Sequence, residues 1–363
     1  MSNPKFGYGR TAAGNINDKN ENIAVKLLFS CLQNVQINYH CVMKSGTALI
    51  MATKPYAKEN RTKSWWLTWS TLGIALLLHG AIFTTDLWYV QVFFSILAGL
   101  TLVRFFVIYH DFMHHSILQK SRLADALFAL FGLYILIPRS IWKRSHDHHH
   151  SHNSKLYGSS IGSFPIVTKK KFESLSTTQK RLYLFVRHPL NILFSYVSAF
   201  ILGTCIRSFA VSPKRHWDSL LSLGLHFGLM AILVFAIGWK MMLLGFLLPI
   251  VISHALGSYM FYAQHNFPGV IYENKEGWTY IKAALKSSSY MKMSPIMHWF
   301  TGNIGYHHIH HVNAKIPFYR LPEAYAKIPE LQQAKETSLM PSEIVRCFQL
   351  KVWDVENREM VSV

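Results

Sequence analysis

The apolar residues of this chain are bunched into long runs rather than spread at a helical or strand period. Trp65–Phe83 and Trp88–Tyr109 are each close to the ~20 residues that cross a hydrocarbon core. A three-residue polar break, Thr84-Thr85-Asp86, precedes the second run. The pattern predicts a tight helical hairpin whose two ends return to one side. Leu220–Ile237 and Met241–Tyr262, joined by Gly238-Trp239-Lys240, predict a second pair. Between the pairs lie two weaker segments. Leu127–Pro138 is too short to span, and Pro189–Ile206 is flanked by Arg187 and Arg207. Trp65, Trp66 and Trp69 fit an interfacial aromatic belt. Arg104, near the end of its run, is expected to snorkel to the surface.

The ends of the chain read differently. Residues 1–60 are polar, with one apolar island at Ala24–Leu32 that is too short to span and shows no signal-peptide cleavage pattern. Met43 and Met51 are alternative starts, so this stretch is expected to be a disordered tail or an over-long start. After His265 the sequence is polar and mixed, expected as a soluble cap. The expected architecture is all-α. It is a multi-pass membrane protein with about four transmembrane helices in two hairpins, interfacial helices and a cytosolic histidine-rich cap, filling residues 61–340, with 341–363 as a C-terminal tail.

Composition sharpens this. Half of the 363 residues are hydrophobic and 15% are charged, against about 25% in ordinary soluble domains; mean hydropathy is +0.16. The formal charge is +19. No nucleic-acid-binding motif accompanies it, and the basic residues sit between apolar runs. Lys and Arg outnumber Asp and Glu by 12 to 4 between His110 and His188. That is the positive-inside pattern, which assigns this face and both termini to the cytoplasm. Four scattered cysteines with no CxxC exclude a disulfide scaffold, a zinc ribbon and a cysteine-held iron–sulfur cluster.

Twenty histidines are the anomaly. They clump as His110-Asp-Phe-Met-His114-His115, as His146-Asp-His148-His149-His150-Ser-His152, and as His307-His308-Ile-His310-His311. The second and third clumps each contain one HxxHH register, His146/His149/His150 and His307/His310/His311. On a helix, positions i, i+3 and i+4 share a face, so HxxHH aims three imidazoles at one spot. Neutral imidazole binds iron, zinc and copper. Eight such groups exceed one tetrahedral zinc and suit two metals. A single metal site needs all the clumps on one membrane face, so the chain crosses an even number of times between His110 and His307. The second pair of spans supplies two crossings, which makes 127–138 and 189–206 interfacial. His265, where the last span exits on that face, is the ninth candidate. Asp111 and Asp147 adjoin candidate ligands and are expected to orient imidazole N–H groups. His79, His226 and His254 lie within spans and are expected to pack or hydrogen-bond between helices.

These clumps resemble the three histidine boxes of the membrane fatty acid desaturases, HxxxH or HxxxxH followed by two HxxHH. The similarity covers about residues 65–330 and is closest to the acyl-lipid Δ12/ω6-type branch. It is carried also by Phe261-Tyr-Ala-Gln-His-Asn-Phe and by Gly302-Asn-Ile-Gly-Tyr-His-His-Ile-His-His-Val-Asn-Ala-Lys-Ile-Pro. Many relatives read His-Asp-Cys-Gly-His in the first box, whereas Phe112-Met113 stands here, and either His114 or His115 fills its second ligand position. The resemblance implies metal ligation by His110, His114, His146, His149, His150, His265, His307, His310 and His311. It also implies a di-iron centre, O2 as co-substrate, and removal of two hydrogens from an acyl lipid in the bilayer. Two electrons come from a separate carrier of ferredoxin or cytochrome b5 type, because no haem-attachment motif, GxGxxG or fused His-Pro-Gly-Gly is present. The implied location is a bacterial inner membrane. A lipid or carotenoid hydroxylase or ketolase uses the same boxes and is told apart by new hydroxyls instead of new double bonds. A histidine-rich metal transporter is the alternative from another class; it would place ligands near the midplane of spans.

Overall fold

In a computed structural model of the chain, Lys44, residues 46–157 and residues 161–363 are described. The chain divides into Met1–Lys44 and a second unit, Ser45–Val363, in which every candidate ligand lies. The apolar island at 24–32 falls outside the described residues. Residues 46–60, expected as part of a tail, are structured. Leu49 is fully buried, Asn313 donates to Thr53, and the Leu118 amide donates to Glu59.

The structure is mostly helical. Among the described residues three helical stretches are long and apolar enough to cross a membrane, or four if one sharply bent pair is a single span. Helix α1 (Arg61–Thr84) starts where the Asn60 side chain accepts from the Lys63 amide. Helix α2 (Trp88–Met113) runs antiparallel to it. The Gln91 amide ties the turn by donating to the Thr85 and Ile82 carbonyls at 2.7 and 3.2 Å. Arg104 Nε donates to Thr71 of α1 at 3.1 Å. Arg104 does not reach the surface: it is 4% exposed, bonds the Trp299 carbonyl and lies 4.4 Å over the Trp299 ring. Thr71 and Trp299 hold the guanidinium where snorkelling was expected.

Helices α3 (Arg122–Tyr134) and α4 (Arg139–His152) meet at 91°. The π-helical α5 (Tyr196–Arg207) follows. Helix α6 (Trp217–Met242) is interrupted at Gly238, with φ 83° and ψ 162°, and leads through a π-helical turn into α7 (Leu248–Ala263). A left-handed φ of this kind is open to glycine at no steric cost. The rings of His226 and Phe246 lie 5.0 Å apart. Along a straight helix the twenty residues between them would span about 30 Å. The chain therefore reverses near Gly238. Helices α2 and α7 pack closely: a Cβ on Gly99 would meet Ile252 and the Pro249 carbonyl at 2.8 Å. This pairing brings the C-terminal ends of α2 and α7 side by side, with His110 at one and His265 just beyond the other.

The three span histidines behave as packing residues. His79 bonds the Ala75 carbonyl, His226 the Tyr196 hydroxyl, and His254 the Ile135 and Ile250 carbonyls. Beyond α7 come α8 (Tyr280–Lys286), α9 (His307–Val312) and α10 (Pro341–Gln349). Two short strand pairs join them: β1 (Tyr290–Lys292) runs parallel to β2 (Glu336–Ser338), and β3 (Val352–Asp354) antiparallel to β4 (Glu359–Val361). Residues 341–363 thus form a helix and a hairpin, with Trp353 2% exposed against Tyr272. A buried tryptophan at that position is incompatible with a loose tail.

Candidate metal centre

All nine histidines of the expected set come together, and they do so in two groups that share no residue. His110, His114, His146, His150 and His310 form one; His149, His265, His307 and His311 form the other. Within each group the ligand nitrogens lie within 4.8 Å of one another. The end of α2 supplies the first box, α4 the second and α9 the third.

The HxxHH spacing does not deliver three rings to one point. On α4, His146 and His150 enter the first group and His149 the second. On α9 the division is reversed: His307 and His311 enter the second group and His310 the first. At about 100° per residue, i+4 lies 40° from i and i+3 lies 60° away on the other side. Each helix therefore straddles both groups.

In the second group the Nε2 atoms form a closed ring. His149–His265 is 3.1 Å, His265–His307 2.9 Å, His307–His311 3.1 Å and His311–His149 3.2 Å. In the first group the Nε2 contacts are His110–His146 at 3.0 Å, His146–His150 at 3.2 Å and His150–His310 at 3.0 Å. His114 Nε2 is buried there with no hydrogen-bond partner, while its ring lies 4.7 Å from His150 and 4.8 Å from His310.

The outer nitrogens show how these contacts can accommodate a cation. His149 Nδ1 lies 2.7 Å from Ser163 Oγ, and His265 Nδ1 lies 2.9 Å from the Ser287 carbonyl. A carbonyl only accepts, so His265 carries its proton on Nδ1 and presents a lone pair at Nε2. The same tautomer of His149, with Nδ1–H donating to Ser163, brings two lone pairs to 3.1 Å. That contact is repulsive unless a positive ion lies between them. A flat ring with edges of about 3.1 Å has its centre about 2.2 Å from each corner, within the usual tolerance for metal–imidazole bonds. Burial also keeps the rings neutral. It holds His265 down at about 4, and His307, His310 and His311 well below the ordinary 6.5, with neighbouring histidines adding to the depression. The residues fit a pair of metal ions.

Supporting contacts separate the two acidic candidates. Asp111 is 1% exposed, accepts from the Phe318 amide at 2.6 Å and lies 3.3 Å from His110 Nδ1, where it orients that ring. Asp147 points outward and pairs with Lys143 at 2.8 Å; one residue from His146 on a helix, it is turned away from the centre. Of the two first-box candidates, His114 enters the cluster while His115 is exposed at φ 56°. His148 and His152 stack on each other at 4.0 Å on the outer side of α4. His308 is buried but bonds the Leu331 carbonyl.

Three supporting groups escaped the sequence reading. Trp142 stacks 4.5 Å from His146, one turn earlier on α4, a spacing that the sequence does display. Ser163 and the Ser287 carbonyl had no signal. Ser163 is positioned by the close approach of Gly162, where a Cβ would lie 2.1 Å from the Ser145 carbonyl.

A family model described as fatty acid desaturase matches residues 86–341. The chain belongs to the fatty acid desaturase family. The desaturase is 28% identical to a fatty acid desaturase of Bacillus subtilis (strain 168) over 299 residues, 82% of this chain and 81% of that protein. It is 26% identical to an sn-1 acyl-lipid omega-3 desaturase (ferredoxin) of Nostoc sp. (strain 36), covering 74% and 75% of the two chains. It is 25% identical to an sn-1 oleoyl-lipid 12-desaturase of Anabaena variabilis, covering 75% and 78%. The protein is a membrane fatty acid desaturase, an oxidoreductase, with histidine clusters able to hold metal.

Proposed function

We propose that His110, His114, His146, His150 and His310 hold one iron and that His149, His265, His307 and His311 hold a second. With O2 and two external electrons, the enzyme introduces a cis double bond into a lipid-linked acyl chain. The observation that supports this most is the ring of four imidazole nitrogens, in which the Ser287 carbonyl turns the His265 Nε2 lone pair inward, beside a second cluster of five. When bound, the irons supply from O2 the oxidising power that an unactivated C–H bond demands and no acid or base can offer. Overall, one O2, two electrons, two protons and two hydrogens of the acyl chain become two waters and a C=C bond.

The chain's own residues do the remaining work. The Ser163 hydroxyl and the Ser287 carbonyl hold the Nδ1 protons of His149 and His265, and Asp111 orients His110. The Trp142 ring covers His146 and keeps water from it. The low affinity of the buried imidazoles for protons keeps them available as ligands near neutral pH.

Electrons come from a ferredoxin or a cytochrome b5-type carrier, drawn by the basic face; the name of the Nostoc relative includes ferredoxin. We read the four apolar segments as two membrane hairpins in a bacterial inner membrane, with α3, α5 and the histidine-bearing cap on the cytoplasmic side together with both termini. The bond position is read as Δ12/ω6-type, in line with the name of the Anabaena relative.

Expression in a host lacking polyunsaturated fatty acids, with localisation of new double bonds, tests the reading. A new cis bond on the methyl side of an existing one is expected. New hydroxyls would turn the reading to a hydroxylase, and metal flux without redox chemistry to a transporter.

A further inference from the structure

A cavity of about 20 Å³ lies against the second histidine group, between the end of α7 and the loop that carries Ser163. A volume of this size holds one water-sized ligand or one small ion. Arg187, Asn266, Ser163 and His265 line it, and among the described residues of its wall there is no Asp or Glu.

Arg187 is fully buried and has only neutral partners. It is 0% exposed. Nη1 donates to the Pro165 carbonyl at 2.9 Å, and Nη2 donates to Asn266 Oδ1 at 2.7 Å, to the Leu350 carbonyl at 3.2 Å and to the Tyr262 hydroxyl at 3.3 Å. Nε is buried with no hydrogen-bond partner. Among the described residues no carboxylate pairs with Arg187. A guanidinium does not shed its proton, and a buried charge is ordinarily paired. The end of the helix Thr177–Val186, which Arg187 caps, supplies only a partial negative charge. Lys351 adds to the imbalance. Its ammonium donates to the Arg187 carbonyl at 3.1 Å, and burial first, then the Arg187 charge, hold it down at about 8.

The other polar groups of the wall are largely spent. The Tyr272 hydroxyl donates to the His265 carbonyl, the Ser154 hydroxyl to the Asn153 carbonyl and Asn266 Nδ2 to the Cys347 carbonyl, each at 2.7 Å. The Ser163 hydroxyl accepts from His149 Nδ1–H, with its own hydrogen left over. The wall therefore still offers two donors, Arg187 Nε–H and Ser163 O–H, and one uncompensated positive charge. A water would meet the donors and leave the charge. A small ion that is negative and only accepts meets both.

We propose that this cavity binds a single monovalent anion of halide size, held by the Arg187 guanidinium and the Ser163 hydroxyl. The anion balances Arg187 and so secures the junction at which that residue joins Asn266, just beyond α7, to the Leu350 carbonyl, just beyond α10. This junction backs the second histidine group, because Asn266 follows His265 and Ser163 holds His149. Binding requires neither metal nor lipid, so it is decided apart from the desaturase reading.

The test uses metal-free, full-length protein in uncharged micelles at about pH 7.5, where burial keeps the clustered histidines neutral. Binding of radiolabelled chloride is measured by equilibrium dialysis, with gluconate holding the ionic strength constant and bromide as competitor. Wild type should hold about one chloride per chain, displaced by bromide and not by gluconate, which is too large for the cavity. Exchange of gluconate for chloride should raise the melting temperature by about 2 °C or more. Arg187→Gln should abolish both effects. Ile166→Phe, which fills the cavity from another part of its wall and keeps the guanidinium, should abolish them too, and it decides the matter if Arg187→Gln fails to fold. Absence of bound chloride in wild type, with equal melting in the two salts, overturns the proposal and leaves a water site. So does chloride binding that survives in Ile166→Phe or in folded Arg187→Gln, which would mark an adventitious ion only.

Discussion

Replacing His265 with alanine separates the two metal positions. His265 is one of the four histidines of the second group and is not a member of the first. Its loss opens the ring at two contacts, to His149 at 3.1 Å and to His307 at 2.9 Å. Metal content should fall from about two ions per chain to about one, since the first group keeps every ligand. Activity should fall by more than the 10- to 100-fold that follows loss of a residue merely orienting a ligand. The Ser287 carbonyl also loses its donor, which costs about 1–3 kcal/mol of stability in the metal-free protein. His308→Ala is the control. His308 is buried but bonds the Leu331 carbonyl, so its loss should cost a similar stability while both metals remain. The assays are iron per purified chain, fatty-acid profiling of the expressing host, and thermal melts of metal-free protein. The reasoning is refuted if His265→Ala keeps two ions and normal double-bond formation, or if His308→Ala loses metal as His265→Ala does.

Other outcomes follow from the same geometry. Asp111→Asn weakens the orientation of His110 and should cost about 10- to 100-fold in metal affinity or activity, with insertion unchanged; full activity in quantitative turnover would remove that role. His115→Ala and His148→Ala alter rings outside both clusters and should leave iron content and activity within twofold, as metal analysis can check. Burial holds His265 and His308 at about 4 against 6.5 in the unfolded chain. The unfolded state therefore binds more protons between these values. The stability they contribute is complete above about pH 6.5 and is lost as pH falls toward 4. Melting temperatures of metal-free protein should drop between pH 7 and 5, and a rise would contradict the sign.

The apolar runs made the spans legible, because about twenty apolar residues have few other uses in a folded chain. That these nine histidines would gather was legible because helical spacing and span exits both pointed to them. What spacing could not convey was the division of labour within each box. That depends on how α4 and α9 face each other, and so on tertiary contacts between residues some 160 positions apart. The same limit applies to Arg104, whose partners are Thr71 and Trp299. It applies also to residues 341–363, held by Trp353, whose contact with Tyr272 no local pattern reveals.

The central claim is that two irons sit in separate, all-histidine nests. X-ray absorption at the iron edge on purified, iron-loaded wild type tests it most directly. The account predicts about two irons per chain, each with four to five imidazole nitrogens and no sulfur. A single iron per chain, or a sulfur-ligated environment, would contradict it.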